Sequence, residues 1–488
     1  MSGEEISGRL HPLAVLLIAR RFVGASLLPV VALLLSTGTR ILVPLVVVAL
    51  VVGVPLAVLS WWRFRYRVAG GRLELHSGVV SRKVRTIPLE RLRGVDVTAS
   101  FLHRLLGLVR VEVEAAAGGS SRAELSLAAV SRREAERLRE VLLGDPRTRD
   151  EDATSRRCLY RARPGLLALG GITSMRYLLA PAAVVGVLLN IADDLPGDVA
   201  GRAAEAAADR APTDPALILL LVTAVAVVVV GVAAAGSLLV DWGFTLEGDG
   251  ERLTATRGLL TRRMVLLDRD RIRGVDLRDT PVRRPFGITT ATAIAAGLRG
   301  RTGGTTLAPV IRTRDAAALL RSVDPHAPDP GAPLTAHPAA ARKRRLLRAL
   351  PLPVLLLVAA TAALVPWAIA VAAALTALAV PLALDRYRQL GHGFDGRRLT
   401  LREGSLHRRW SEIDPGGAVA FEVRSTPGQR RAGVCTLALH LGQGAGSRRA
   451  LDLGNEQAAA LLAGLEPRLL APLVAAPGSG GGRGRAAS

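Results

Sequence analysis

Six apolar runs, gathered in three pairs, constrain this 488-residue chain more than any other feature. They occupy 22–36 and 41–60, 177–191 and 216–240, and 349–364 and 365–384. The second run of each pair holds about 20 or more residues, enough to cross a hydrocarbon core of about 30 Å at 1.5 Å per residue. The first runs are shorter and each follows arginine: Arg20 and Arg21, Arg176, and Arg348. Such arginines belong at the interface, with their stems along the lipid. Recurrence in three matching places argues for membrane hairpins over buried core helices. No A-x-A-like site follows the first run and a second span comes directly after it, so the start is not read as a cleavable leader.

Charge orients the hairpins. The connection 192–215 carries Asp193, Asp194, Asp198, Glu205, Asp209 and Asp214 against Arg202 and Arg210, whereas Arg63, Arg65 and Arg67 follow the second run at once. Arg342, Lys343, Arg344 and Arg345 precede the fifth run. By the positive-inside rule, both termini and the long segments between pairs are cytoplasmic, and all three hairpins point outward.

Composition narrows the function classes. Half of the residues are apolar, 3% are aromatic, mean hydropathy is +0.32 and the net charge is +23. Among the 64 basic residues only Lys83 and Lys343 are lysine, a bias that with abundant Ala and Gly reads as a GC-rich coding signature. The sign still favours anionic partners. Two distant cysteines, Cys158 and Cys435, exclude a disulfide framework and a structural zinc site.

An internal repeat lies between the hairpins. Residues 180 apart match at Trp62 and Trp242, Phe64 and Phe244, Arg72-Leu73 and Arg252-Leu253, Gly78 and Gly258, and Arg82 and Arg262. Arg91, Arg93-Gly94-Val95-Asp96 and Gly107 likewise fall on Arg271, Arg273-Gly274-Val275-Asp276 and Gly287. A spacing of 326 recovers a weaker third copy at Arg398-Leu399, Gly404 and Arg408, where Glu412-Ile413-Asp414-Pro415-Gly416 is read in place of the Arg-Gly-Val-Asp element. Within a copy, 73–76 and 109–114 alternate apolar and polar residues as half-buried strands do, and Gly70-Gly71, Gly78 and Gly118-Gly119 punctuate them. Ser131-Arg132-Arg133-Glu134 is a capping box opening a helix with Ala135, Leu138, Val141 and Leu142 on one face. Residues 313–323 and 455–465 take the same place later. Seven or so short strands closed by one helix predict a small barrel or orthogonal sandwich.

Trp62-Arg63-Phe64-Arg65-Tyr66, a Gly-Val-Val-Ser-Arg hairpin, Ile87-Pro88-Leu89-Glu90-Arg91-Leu92-Arg93-Gly94-Val95-Asp96 and Leu105-Leu106-Gly107-Leu108 together resemble the bacterial pleckstrin-homology-like (YdbS/YdbT-like) membrane proteins. The lead-in His11-Pro12-Leu13 fits the same resemblance. It covers nearly the whole chain and implies PH-like barrels in a multi-pass protein of the bacterial cell membrane, with no assigned reaction.

The expected fold is therefore an α+β membrane protein. Six transmembrane helices form three hairpins, each followed by a cytoplasmic PH-like barrel or sandwich capped by a C-terminal helix, the third copy degenerate. The boundaries read as a first hairpin in 1–61, PH-like domain 1 in 62–145 and a linker in 146–165. The second hairpin is 166–241, domain 2 is 242–325 and a Pro/Ala-rich, basic linker is 326–345. The third hairpin is 346–385, domain 3 is 386–470 and a disordered Gly-rich tail is 471–488.

The most repeated chemistry is cationic. Arg82, Lys83, Arg85, Arg91 and Arg93 are echoed by Arg262, Arg263, Arg271 and Arg273. One reading is a site for an anionic phospholipid headgroup or an acidic protein segment, since each basic residue near an anionic leaflet is worth about 1 kcal/mol. The other is a solvated positive-inside face enlarged by coding bias. Asp96 and Asp276 share no second carboxylate or histidine for acid–base work and are read as partners of the preceding arginine. Histidines lack metal spacing. Gly442-Gln443-Gly444-Ala445-Gly446 is read as a hairpin turn, not a dinucleotide loop. No cofactor, catalytic residue or nucleic-acid partner is expected. The leading function is a non-enzymatic scaffold binding lipid, a membrane-protein partner or a paralogous family member, in envelope maintenance or export. The alternative is an accessory subunit of a transporter or export system.

Overall fold

A computed structural model describes residues 6–17, 42–78, 83–89, 92–115, 125–143, 157–174, 177, 214–295, 306–442 and 446–466. The chain is sheet-rich α+β and divides into two compact units, 1–270 with 297–311, and 271–296 with 312–488. Neither follows the boundaries of the sequence repeats.

In the first unit, β1 (Ile6–Gly8), β2 (Arg65–Ala69), β3 (Arg72–Ser77) and β4 (Lys83–Pro88) form an antiparallel sheet in the order β1-β2-β3-β4. Tyr66 and Val68, then Leu73 and Leu75, alternate into its core with Leu10 and Ala14. A second sheet holds β5 (Leu92–Ala99), β6 (Leu108–Ala115) and β7 (Leu125–Ser131) together with four later strands. These are β8 (Arg157–Arg161), β9 (Thr245–Gly248), β10 (Arg252–Arg257) and β11 (Arg262–Asp268), in the order β7-β6-β5-β11-β10-β9-β8. The first two sequence repeats thus share one sheet, joined where β5 meets β11. The repeats predict a separate barrel or sandwich each; instead a sheet edge left open by one repeat is covered by a strand of the next, which satisfies its backbone donors and acceptors.

The second unit repeats the arrangement. There β12 (Ile272–Asp279) pairs with β13 (Ile288–Ala295) on one side. Beyond β14 (Thr306–Arg312) come β15 (Thr335–Ala336), β16 (Gly391–Phe394), β17 (Leu399–Glu403) and β18 (Arg408–Ile413), and β18 pairs with the other side of β12. A final sheet has the order β19 (Ala420–Arg424), β20 (Val434–His440) and β21 (Ser447–Gly454).

Each pair of apolar runs is inserted between two paired strands of a sheet. The short strands β1, β8 and β15 lie before the apolar runs, yet each pairs antiparallel with the first strand after them, β2, β9 and β16. The segments 146–165 and 326–345, read as linkers, therefore supply sheet strands. Sequence periodicity could not find them, because two to five residues are too few to show alternation.

Among the helices, α1 (Leu42–Arg63) is a 22-residue apolar helix. The helix α2 (Arg132–Leu143) closes the first repeat with Ala135 and Leu138 buried. Its Ser131 hydroxyl accepts from the Glu134 amide at 3.2 Å, as the capping box predicts, but the Glu134 carboxylate accepts from Tyr66 at 2.7 Å. Burial and that carboxylate push the Tyr66 phenol well above its ordinary range. Helix α3 (Pro164–Ile172) packs on α4 (Pro215–Asp241): Ser237 donates to the Leu167 carbonyl at 2.8 Å, and a Cβ on Gly171 would strike the Ala233 carbonyl. The helix α5 (Thr313–Val323) takes the place of α2 in the second repeat. There follow α6 (Ala339–Ala349), α7 (Pro351–Ala362), α8 (Pro366–Arg388) and the closing helix α9 (Asn455–Leu465).

Pro215–Asp241, Ala339–Ala362 and Pro366–Arg388 are long and apolar enough to cross a membrane. The runs 22–36 and 178–191 lie outside the described residues.

Candidate functional site

Two places gather the repeated polar residues: the seams between repeats and the ends of the apolar helices. Both seams keep one register. In the first, Arg262, Arg263 and Met264 face Ala99, Thr98 and Val97. In the second, Arg408, Arg409 and Trp410 face Asp279, Arg278 and Leu277, the same repeat positions. The Arg-Gly-Val-Asp element lies on the seam strand each time, with Arg93 and Arg273 as the extra residue of a bulge. A Cβ on Gly274 would collide with the Glu412 carbonyl oxygen on β18, so glycine is what lets the strands close there.

Asp276, 1% exposed, is the polar centre of the second seam. Ser411 donates to its Oδ1 at 2.6 Å, and Arg448 grips both oxygens, Nε to Oδ1 at 3.1 Å and Nη2 to Oδ2 at 2.9 Å. Arg278 adds a bond at 2.8 Å, and Arg409 approaches to 3.9 Å. Burial by itself pushes this carboxyl up; the Arg448 charge and these bonds outweigh it and hold it below the usual range. The expected partner, Arg273, instead lies 3.8 Å from Asp414. Neither Ser411 nor Arg448 belongs to a repeated motif, so no sequence signal marked them.

The third repeat also differs from its reading. Its strand β19 pairs Ala420 with His440, the place where β12 pairs Gly274 with Ile294. The Arg-Gly-Val-Asp element thus corresponds to Val419-Ala420-Phe421-Glu422. Glu412 and Ile413 belong to β18 and face that element of the second repeat. Glu412, 1% exposed, is pushed up to about 8 by burial and by the Asp324 charge, against the pull of Arg398 at 3.7 Å.

At the helix ends, the β10–β11 turn is bonded to α4: the Gly258 amide donates to Trp242 at 2.9 Å and the Leu259 amide to Leu239 at 3.0 Å. Gly78, Gly258 and Gly404 hold this turn at φ of +112°, +106° and +99°, which only glycine adopts easily. Leu259, Leu260 and Trp242 are exposed beside it, as is Leu406 in the third repeat. Asp241 at the end of α4 pairs with Arg257 at 2.8 Å, and Asp385 near the end of α8 pairs with Arg408 at 2.7 Å. An arginine from the preceding repeat clasps each turn: Arg104 donates to the Leu259 carbonyl, and Arg284 to those of Ser405 and Leu406.

These placements divide the predicted cations. Arg262 and Arg263 begin β11 beside the helix end, the former exposed. Arg271 and Arg273 follow β11 in the chain and belong to the second unit. Lys83 and Arg85 project from one exposed face of β4. Arg82 and Arg91 lie outside the described residues, as does the side chain of Arg93. The basic stretch before the fifth run is partly internal: Arg344 and Arg345 grip buried Asp452 on β21 at 3.0 and 2.8 Å, tying α6 to the sheet.

His337 and His392 stack edge to face at 5.2 Å, and burial with the neighbouring ring pushes His337 down to about 4. Among the described residues no three metal-ligating side chains gather.

A family model described as Bacterial PH domain matches residues 20–145, 203–327 and 350–468. The UPF0699 transmembrane protein YdbT of Bacillus subtilis (strain 168) is 23% identical over 288 residues. That alignment covers 55% of this chain and 58% of the relative's length. No solved structure matches.

Proposed function

Because the chain belongs to the bacterial PH-domain family, as a membrane protein with three such repeats, we propose that it is a non-enzymatic scaffold whose sheets lie on the cytoplasmic leaflet and hold anionic headgroups. One observation carries the reading: the strands on either side of each hairpin pair in one sheet. A hairpin so flanked leaves and returns on the same side, which supports a topology of six spans with both termini on the side of the sheets. The charge asymmetry supports a cytoplasmic placement of that side. A transporter subunit finds less support, since Asp241 and Asp385 lie toward helix ends and are already paired with Arg257 and Arg408.

Topology is tested by cysteine labelling of intact cells on a Cys158→Ser background. An impermeant maleimide is expected to label Ala206→Cys in the acidic connection and to spare Ala318→Cys, exposed on α5. The reverse pattern overturns the orientation.

For the ligand, Arg262 and Arg263 with Leu259 and Leu260 lie beside the end of α4, while Arg271 and Arg273 belong to the second unit. Arg262→Gln with Arg263→Gln is expected to weaken binding of phosphatidylglycerol by the detergent-solubilised full chain about 10–30-fold, two near-surface charges' worth. The pair Arg271→Gln and Arg273→Gln serves as the control of equal charge. Equal losses from both pairs, erased by 150 mM salt, overturn the proposal in favour of a generic positive face.

A further inference from the structure

The seam that joins successive repeats leaves its two halves over at the ends of the array. In the first repeat, β4 is the last strand of the order β1-β2-β3-β4. It occupies the repeat position of β11 and β18, both of which are covered by a neighbour. In the third repeat, β19 ends the order β19-β20-β21, at the position of β5 and β12, the strands that do the covering. Among the described residues neither edge has a further strand. We infer that β19 of one copy of this chain pairs antiparallel with β4 of another, so that copies join head to tail by the contact that joins the repeats.

The residues at those edges fit the inference. Carrying the shared register of the two internal seams onto β4 and β19 sets Val423 against Val84, Glu422 against Arg85 and Arg424 against Lys83. Val84 and Val423 are 51% and 52% exposed, an unusual state for β-branched residues within strands. Glu422 takes the place of Asp276, the carboxylate of the second seam, and here meets an arginine. Ala420 replaces the glycine that lets β12 approach β18, so the new seam stops short of that end. The first seam likewise pairs only three residues.

The clasp provides an independent mark. Arg104 and Arg284 hold the next repeat's turn, and Arg430 stands at the same repeat position. It is the fourth residue of a short helix Pro427–Arg431, as Arg104 is of Phe101–Leu105. Arg430 is exposed, as a clasp reaching toward a second copy requires. Each internal seam joins repeats that follow hairpins of one orientation, so the same operation places the next copy in the same membrane. A contact between unlike surfaces of this kind builds rings or open chains, not a closed two-fold dimer.

The test uses full-length chains in membranes on the Cys158→Ser background. Val84→Cys in a chain with one tag and Val423→Cys in a chain with a second tag are coexpressed and oxidised. A covalent species carrying both tags is expected, and Val97→Cys with Met264→Cys in one chain is the positive control for seam geometry. Glu422→Arg or Arg430→Glu is expected to lower the mixed-tag yield about two- to fivefold, the worth of one cross-strand or clasp contact, and Arg85→Glu with Glu422→Arg to restore it. Absence of the mixed-tag species while the control closes overturns the inference. So does a chain carrying both cysteines that yields only a faster-migrating monomer, which would mean that the edges close within one molecule. None of these outcomes depends on lipid recognition.

Discussion

Asp276→Ala is expected to destabilise the second unit by about 3–5 kcal/mol, the cost of removing one partner from a buried ion pair. The loss falls on Arg448, 12% exposed, which keeps its bond to the Ser447 carbonyl but loses both bonds to the carboxylate. Ser411 on the facing strand loses its acceptor at the same time. Urea unfolding of the solubilised full chain, followed by tryptophan fluorescence, measures the change. Trp410 sits in the same seam opposite Leu277 and is 7% exposed, so it reports locally. Asp276→Leu combined with Arg448→Met is expected to recover much of the loss, because an apolar pair replaces the charges without stranding one. Acid provides a second reading. The folded-state carboxyl lies below its unfolded value of about 3.9. Its stabilisation is therefore present above that pH and disappears as pH falls through the folded-state value. An Asp276→Ala chain should lose this acid sensitivity; an unchanged midpoint and an unchanged acid limb would remove Asp276 from the account of the seam.

Gly274→Val is expected to cost about 3 kcal/mol, the upper range for forcing a side chain into a closely packed place. Its Cβ would strike the Glu412 carbonyl of β18, which is backbone and cannot swing aside as a flexible side chain can. The strands must separate or the bulge must move, and either change disturbs the Asp276 centre two residues on. Gly274→Ala tests the same collision with less bulk and should already show most of the effect. The readout is the Trp410 emission maximum together with the urea midpoint: a red shift with a lower midpoint is expected. A Gly274→Val chain with the parental midpoint would contradict the close approach.

Much of this architecture could be read from residue spacing. The closing helices at Thr313–Val323 and Asn455–Leu465 begin and end where the repeat placed them, because a 3.6-residue stripe over 11 residues is a strong signal. The turn glycines 78, 258 and 404 were visible for a similar reason: one backbone conformation demands one residue type. The seams were not visible. A strand pairs through its backbone, and nothing in the pattern of β11 says whether its neighbour comes from its own repeat or the one before. The conspicuous Arg-Gly-Val-Asp element suggested a local ion pair or a ligand site, whereas its glycine serves strand approach and Asp276 serves Arg448. Among the described cations of the nine singled out, Arg273 lies close to Asp414, and Arg262 and Arg263 lie by a helix end. Composition could not separate those roles, since an arginine that neutralises a buried carboxylate and one that meets a headgroup look alike in sequence.

On the proposed topology, the insertion of each hairpin between two paired strands also sets an order of events during synthesis. Strand β1 leaves the ribosome long before β2 exists, and β5 before β11, with the second hairpin between them. The first sheet therefore closes only after its hairpin has entered the membrane, and β5 waits with an open edge through the insertion of the next. Contacts of such long sequence separation form late and leave strand edges exposed to wrong partners meanwhile. A nascent chain halted between β7 and β11 holds an uncovered β5, already tethered to the bilayer at a fixed height. Tethering restricts which other edges it can meet, so membrane insertion acts as the chaperone of the sheet: each hairpin that integrates delivers the strand its predecessor is waiting for.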